Sequence, residues 1–364
     1  MDCSPAGAIL TKNTAELRQS LNSISASREA ETRTVRWTVL QPAGAILIKL
    51  PHMGIMIWIR GARLKTLPLA IAPVLIGASL AWHDAGEHRI AVAVLCGFVA
   101  LLLQIAANFA NDYSDGIRGT DAGRSVPVKD ADDSAVSGKA TPSRGPARLV
   151  ASGVNPKKVL AAAGICALAA CLCGLAVVVL TGYWWFIAVG LACLLAGWFY
   201  VGGKHPYGYH YLGEVFVFIF FGLVATCGTM FALSGAITPD GLLGGSAAGL
   251  VAVAVLCVNN LRDIESDSNH GKHTWMTAMG RQNGTVFTIA ILIISALIAL
   301  HHLLQSSIYA ANSIPLIAII TILCAAQIAA SYAIARKTYR RALPLCSLDS
   351  LTVAAIFVLS TMLA

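Results

Sequence analysis

Charge is what this sequence has least of. Only 12% of its 364 residues are charged, about half the ~25% carried by a typical water-soluble domain. The stretch 160–201 contains no charged residue at all. With 57% hydrophobic residues and a mean hydropathy of +0.70, a soluble globular domain is excluded. Alternating apolar and polar residues in runs of about ten are also missing, which excludes a transmembrane barrel. The apolar runs span roughly 17 to 24 residues, the length that crosses a bilayer as a helix. No basic start followed by an apolar core and a small-residue cleavage site opens the chain, so no signal peptide is expected. No CxxC pair and no His spacing suited to zinc occurs, so neither disulfides nor structural zinc is expected. Cys96, Cys166, Cys171, Cys173, Cys193, Cys257 and Cys324 sit in apolar runs and read as small packing residues.

What is present is a chain of apolar runs. They predict an all-α polytopic membrane protein, because only closed hydrogen-bonding patterns survive in lipid. Nine transmembrane helices are expected, at about 66–82, 90–109, 159–181, 183–201, 211–233, 242–258, 285–302, 308–335 and 348–363. Residues 1–50 read as a polar, loosely ordered N-terminal extension, and 51–364 as the membrane domain. With the N-terminus in the cytosol, 25 of the 26 Lys and Arg residues fall on cytosolic segments and only Arg89 falls outside. That bias orients the chain: N-terminus cytosolic, C-terminus outside, multi-pass in the cell membrane. The formal charge of +8 then reflects loop anchoring and attraction to membrane lipid or an anionic substrate rather than nucleic acid. No signature of an obligate protein partner stands out. His301 and His302 are placed at the outer interface.

Two polar clusters interrupt this pattern. Residues 108–121 read NFANDYSDGIRGTD and residues 259–272 read NNLRDIESDSNHGK, and each closes an apolar run. On the predicted topology both face the cytosol, so the nine helices are expected to bundle around one cytosol-facing polar pocket. Asp112 and Asp115, three apart, share a face of a helical turn, as do Asp263 and Asp267, four apart, while Glu265 points elsewhere. Carboxylates converging this way repel one another unless cations intervene. Hard oxygen ligands point to Mg²⁺ holding a diphosphate. Arg118, Arg262 and Lys272 are placed to neutralise that anion, with Lys204 in the loop GGKHPYGYH (202–210) adding another contact. Tyr200, Tyr207 and Tyr209 cluster there, suited to a carbocation or a ring substrate. The segment 130–153 reads as a surface loop, either a variable linker or a lid, with Arg144 and Arg148 able to meet an anion if it closes. An ion-coupled transporter is the competing class, but it calls for interrupted spans at the bilayer midplane, whereas these carboxylates sit at the rims.

These motifs resemble those of the membrane-bound aromatic prenyltransferases of the UbiA superfamily. The family's Asn-Asp followed by a further Asp is matched by Asn111, Asp112 and Asp115, and its Asp-x-x-x-Asp by Asp263 and Asp267. Many relatives carry another Asp where this chain has Gly119; the nearby carboxylate is instead Asp121, a further candidate metal ligand. KTLPLAIAPVLIG (65–77), YVGGKHPYGY (200–209), LGEVFVFIFFG (212–222), NNLRD and GKHT are similar to the branch that acts on 1,4-dihydroxy-2-naphthoate in menaquinone synthesis. The segment 126–141 looks inserted. The resemblance implies transfer of a polyprenyl chain from polyprenyl diphosphate to 1,4-dihydroxy-2-naphthoate, with loss of diphosphate and carbon dioxide, giving demethylmenaquinol. Homogentisate, 4-hydroxybenzoate or another acceptor such as a chlorophyll precursor is the alternative. The resemblance also implies Mg²⁺ on Asp112, Asp115, Asp263 and Asp267. Lys204, Arg262 and Lys272 would contact the anion, and Asn108 and Asn111 would complete the polar shell.

Overall fold

The computed structural model describes residues 51–118, 148–203, 206–305 and 313–362. The chain divides into two units, Met1–Met53 and Gly54–Ala364, and the architecture below is that of the second. The polar extension, the segment 126–141, Lys204 and Asp121 lie outside the described residues.

Among the described residues ten helices follow one another: α1 (Pro51–Gly61), α2 (Pro68–Leu80), α3 (Arg89–Arg118), α4 (Pro156–Thr181), α5 (Phe186–Val201), α6 (Gly213–Ser234), α7 (Pro239–Asn269), α8 (Trp275–Gln305), α9 (Ser313–Ala335) and α10 (Tyr339–Met362). Seven of them, α3, α4 and α6 to α10, are long and apolar enough to cross a membrane. An eighth crossing arises if α1 and α2, which meet at a 49° bend, count as one. The bend follows from Pro68, which fixes the start of α2 and cannot donate to the turn before it. α5 is shorter, and the turn joining it to α4 depends on Gly182, whose φ of 75° lies in the left-handed region. Among the described residues there is no strand, only one parallel bridge between His210 and His273.

The bundle is built around α7. In its apolar window 72% of residues are buried, against 17% in α3, so α7 is the central helix and α3 a lipid-facing one. Lipid supplies no hydrophobic drive between helices, so close backbone approach through small residues has to replace it. Gly222 meets α7 directly: a Cβ there would stand 2.5 Å from the Gly245 carbonyl oxygen and 2.5 Å from the Gly249 Cα. Gly222 lies in a π turn, Ile219–Val224, that interrupts α6 where it passes α7. Interhelical hydrogen bonds add to this, with Ser295 donating to the Ala247 carbonyl at 2.8 Å and Gln327 to the Asp349 carboxylate at 2.7 Å.

Two expectations need correction. The hydropathy-based ends of the second and sixth runs fall short: α3 continues to Arg118 and α7 to Asn269, so Asp112, Asp115, Asp263 and Asp267 all lie on helices. Loss of apolar character ends contact with lipid, not the backbone hydrogen-bond ladder. His302 is not interfacial but buried, stacked on Phe357 at 4.4 Å with its Nδ1 3.4 Å from an Asp240 carboxylate oxygen.

Candidate active site

The C-terminal ends of α3 and α7 each carry carboxylates in their last turns. A helix C-terminus already bears partial negative charge, so Asp115 and Asp267 there create a strong demand for cations. The structure meets that demand with neighbouring basic side chains and backbone N–H groups.

On α3 the polar residues divide their work. Buried Asn108 donates from Nδ2 to the Ala62 carbonyl at 3.0 Å, and Gln104 reaches Thr66 Oγ1 at 3.3 Å, fixing α3 against the α1–α2 connection. Asn111 is half-buried on the same helix. Asp112, only 1% exposed, accepts from the backbone N–H of Leu149 at 2.9 Å and of Val150 at 3.2 Å. Both its oxygens therefore anchor the chain where it returns after residue 147. Asp115 accepts from the Tyr209 hydroxyl at 3.3 Å and stands 3.7 Å from Arg148 Nη2. Arg118 donates to the Gly203 carbonyl at 2.9 Å, and its guanidinium lies over the Tyr209 ring at 5.3 Å.

On α7, Arg262 grips its neighbour Asp263 with two hydrogen bonds, Nε to Oδ1 at 2.9 Å and Nη2 to Oδ2 at 2.6 Å. Asp267 pairs with Lys272 Nζ at 3.1 Å. Glu265 faces Arg281 at 3.3 Å, away from that pair, as its helical position predicts. Asp115 and Asp263 both act electrostatically on Asp267, so the two clusters, far apart in sequence, meet at one end of the bundle.

Two short connections complete the site. The turn before α6 and the turn before α8 are laced together: His273 N–H donates to the Tyr209 carbonyl and Tyr211 N–H to the His273 carbonyl, each at 3.0 Å. Trp275 adds Nε1 to the Tyr211 carbonyl at 2.9 Å and its backbone N–H to Glu214 at 3.3 Å. Buried Glu214 also accepts from Asn260 of α7 at 3.1 Å. Lys272 sits on this strap, its ammonium 5.8 Å from the Tyr209 ring centre. Burial alone would push the Lys272 ammonium down, but Asp267 and Asp115 outweigh it and hold its pKa above the ordinary value. Burial, and then Asp115, raise the Tyr209 phenol.

The other tyrosines are placed differently. Tyr207 donates to the Ala196 carbonyl at 2.7 Å and packs on Phe216 at 4.2 Å, so its hydroxyl is committed to α5. The Tyr200 ring packs under the following turn, where a Cβ on Gly208 would come within 3.1 Å of it. Glu214 received no role from the sequence beyond its motif, whereas Tyr209 was grouped with Tyr200 and Tyr207 as a contact for a carbocation or a ring substrate. A carboxylate opening an apolar run was the available signal for Glu214. The contacts of Tyr209 with Asp115, Arg118 and Lys272 carried no sequence signal, since those partners are remote along the chain.

Among the described residues no group of three or more His, Cys, Asp or Glu side chains is gathered to hold a metal. The donors are hard carboxylate oxygens, which fit Mg²⁺ by chemistry. Asp263 and Asp267 are each compensated by a basic side chain, and Asp115 faces Arg148.

The fold and site define a class: a helical, multi-pass membrane protein with apposed carboxylates and cations at one end of its bundle. The model of the UbiA prenyltransferase family matches residues 70–346. The chain is 41% identical over 226 residues to the 1,4-dihydroxy-2-naphthoate octaprenyltransferase of Mycobacterium leprae, spanning 61% of this chain and 69% of that protein. It is 35% identical over 241 residues to the Escherichia coli protein of the same name, spanning 65% and 72%. Among solved structures, a UbiA homolog from Archaeoglobus fulgidus bound to GPP and Mg²⁺ matches with a TM-score of 0.55 and 14% identity, over 84% of this chain and 98% of that one. An apo UbiA homolog from Aeropyrum pernix gives 0.54 and 15%, over 81% and 97%. The chain belongs to the UbiA prenyltransferase family.

Proposed function

We propose that the protein transfers a polyprenyl chain from polyprenyl diphosphate to 1,4-dihydroxy-2-naphthoate, releasing diphosphate and carbon dioxide and giving demethylmenaquinol. Relatives bearing that activity in their names support the reaction, and one observation carries the site: Asp115, Asp267, Lys272 and Tyr209 meet where α3 and α7 end. Residues 51–364 form the catalytic membrane domain. We count the bent α1–α2 pair and the short α5 as crossings, which gives nine, with the N-terminus and the site on the cytosolic face and the C-terminus outside.

Asp115, Asp263 and Asp267 would hold Mg²⁺, which would supply positive charge for the departing diphosphate. Asp112 already accepts from the 149–150 backbone with both oxygens, so we assign it first to holding Arg148 in place, with a lone pair on each oxygen left for Mg²⁺. Arg118, Arg262, Lys272 and Lys204 neutralise the diphosphate. The allylic carbon–oxygen bond breaks with its electron pair going to the diphosphate oxygen. The electron-rich naphthoate ring attacks the allylic carbon, and loss of its carboxylate as carbon dioxide restores aromaticity. Tyr200 presents its ring face toward the cationic carbon. Asn108 keeps the α1–α2 connection closed over α3. The apolar helices line the prenyl tail, which enters sideways from the bilayer.

An acceptor panel tests this. Protein in lipid with Mg²⁺ and labelled polyprenyl diphosphate should prenylate 1,4-dihydroxy-2-naphthoate and leave homogentisate and 4-hydroxybenzoate untouched. Product only with one of the latter two would reject the acceptor while keeping the site.

A further inference from the structure

Tyr209 is the side chain on which three separate parts of the site converge. Its hydroxyl reaches Asp115 near the end of α3. Its ring carries Arg118 of α3 at 5.3 Å and Lys272 of the 270–275 turn at 5.8 Å. Its own backbone is fixed on both sides, the N–H donating to the Pro206 carbonyl and the carbonyl accepting from His273, each at 3.0 Å. Two like charges brought to one place repel, and water cannot separate them fully in a half-buried site. Lys272 is already paired with Asp267, and the negative face of the ring offsets the remaining repulsion without adding a further charge. A carboxylate in the ring's place would add a second competitor, beside Asp267, to the incoming anion.

We propose that Tyr209 is a positioning residue for anion binding, its ring holding Arg118 and Lys272 ready for the diphosphate. This rests on the reading of the site as a diphosphate site. The ring is the acting part, and the hydroxyl contact to Asp115 is secondary.

The test is binding without turnover: isothermal titration of inorganic diphosphate, with Mg²⁺ and no acceptor, into full-length protein in lipid nanodiscs. Tyr209→Leu removes the ring and should weaken binding about tenfold, the combined effect of two cation–ring contacts. Tyr209→Phe keeps the ring and should stay within about threefold of the parent. In turnover, Tyr209→Leu should raise KM for the polyprenyl diphosphate far more than it lowers kcat. Leu binding like the parent, or Phe binding as weakly as Leu, would overturn the role of the ring. Should the Leu variant fail to fold, the Phe variant decides alone: parent-like affinity supports the proposal and a tenfold loss overturns it. A parent protein that binds no diphosphate in Mg²⁺ rejects the diphosphate site itself, and Tyr209's role with it.

Discussion

Removing Lys272 should loosen the diphosphate and tighten the metal. The ammonium lies 3.1 Å from Asp267 Oδ2, with the two side chains 23% and 12% exposed. At that distance and an effective dielectric of ~20 the bare attraction is about 5 kcal/mol, an upper bound. Exposed pairs contribute ~0.2–1 kcal/mol, and breaking a fully buried pair costs ~3–5 kcal/mol. A mostly buried pair falls between, at about 2 kcal/mol, or roughly thirtyfold in a binding constant. Lys272→Met removes one cation from the diphosphate's reach and should weaken its binding, while the roughly thirtyfold is what Asp267 loses with its partner. The same change frees Asp267 of its competitor, so a divalent ion alone should bind more tightly than to the parent. Mn²⁺ titration followed by electron paramagnetic resonance reads the second effect directly, on substrate-free protein. A folded Lys272→Met variant that binds Mn²⁺ no better than the parent would show that the ammonium does not occupy a metal position.

Three further outcomes follow from the same geometry. Asp112→Asn replaces one of two carboxylate acceptors with an amide donor facing a backbone N–H, so thermal stability should fall by about 1–3 kcal/mol even without Mg²⁺. Gly222→Ala drives a methyl group into the α7 backbone and should cost about 1–3 kcal/mol, read as a lowered midpoint of unfolding in detergent. The raised Lys272 pKa means that its protonated form favours the folded state. That contribution is complete below the unfolded value near 10.5 and is lost as pH rises through the higher folded value, so melting curves of parent and Lys272→Met should converge only above pH ~10.5.

Much of this architecture was legible because lipid imposes a simple rule. Runs of apolar residues long enough to span the bilayer had to be helices, and α3, α4 and α6 to α10 are. The two acidic clusters stood out because carboxylates at a membrane rim are costly, and both lie at the same end of the bundle. Hydropathy does not encode hydrogen bonding, which is why the apolar runs ended short of Asp115 and Asp267 although their spacing already placed them on helical turns. Spacing placed Asp112 and Asp115 on one face, but only the return of the chain at Leu149 shows that Asp112 spends both oxygens on backbone N–H groups. The Tyr209–Asp115 contact joins residues 94 positions apart, beyond the reach of any local pattern. His302 was misplaced for a related reason: its partners Asp240 and Phe357 come from other helices.

The most direct measurement is the stoichiometry of gas release. Protein in lipid, supplied with Mg²⁺, polyprenyl diphosphate and carboxyl-labelled 1,4-dihydroxy-2-naphthoate, should release one labelled carbon dioxide for each diphosphate, and Asp115→Asn should release neither. Diphosphate release without labelled carbon dioxide, or undiminished release from Asp115→Asn, would contradict the reaction or the site assigned here.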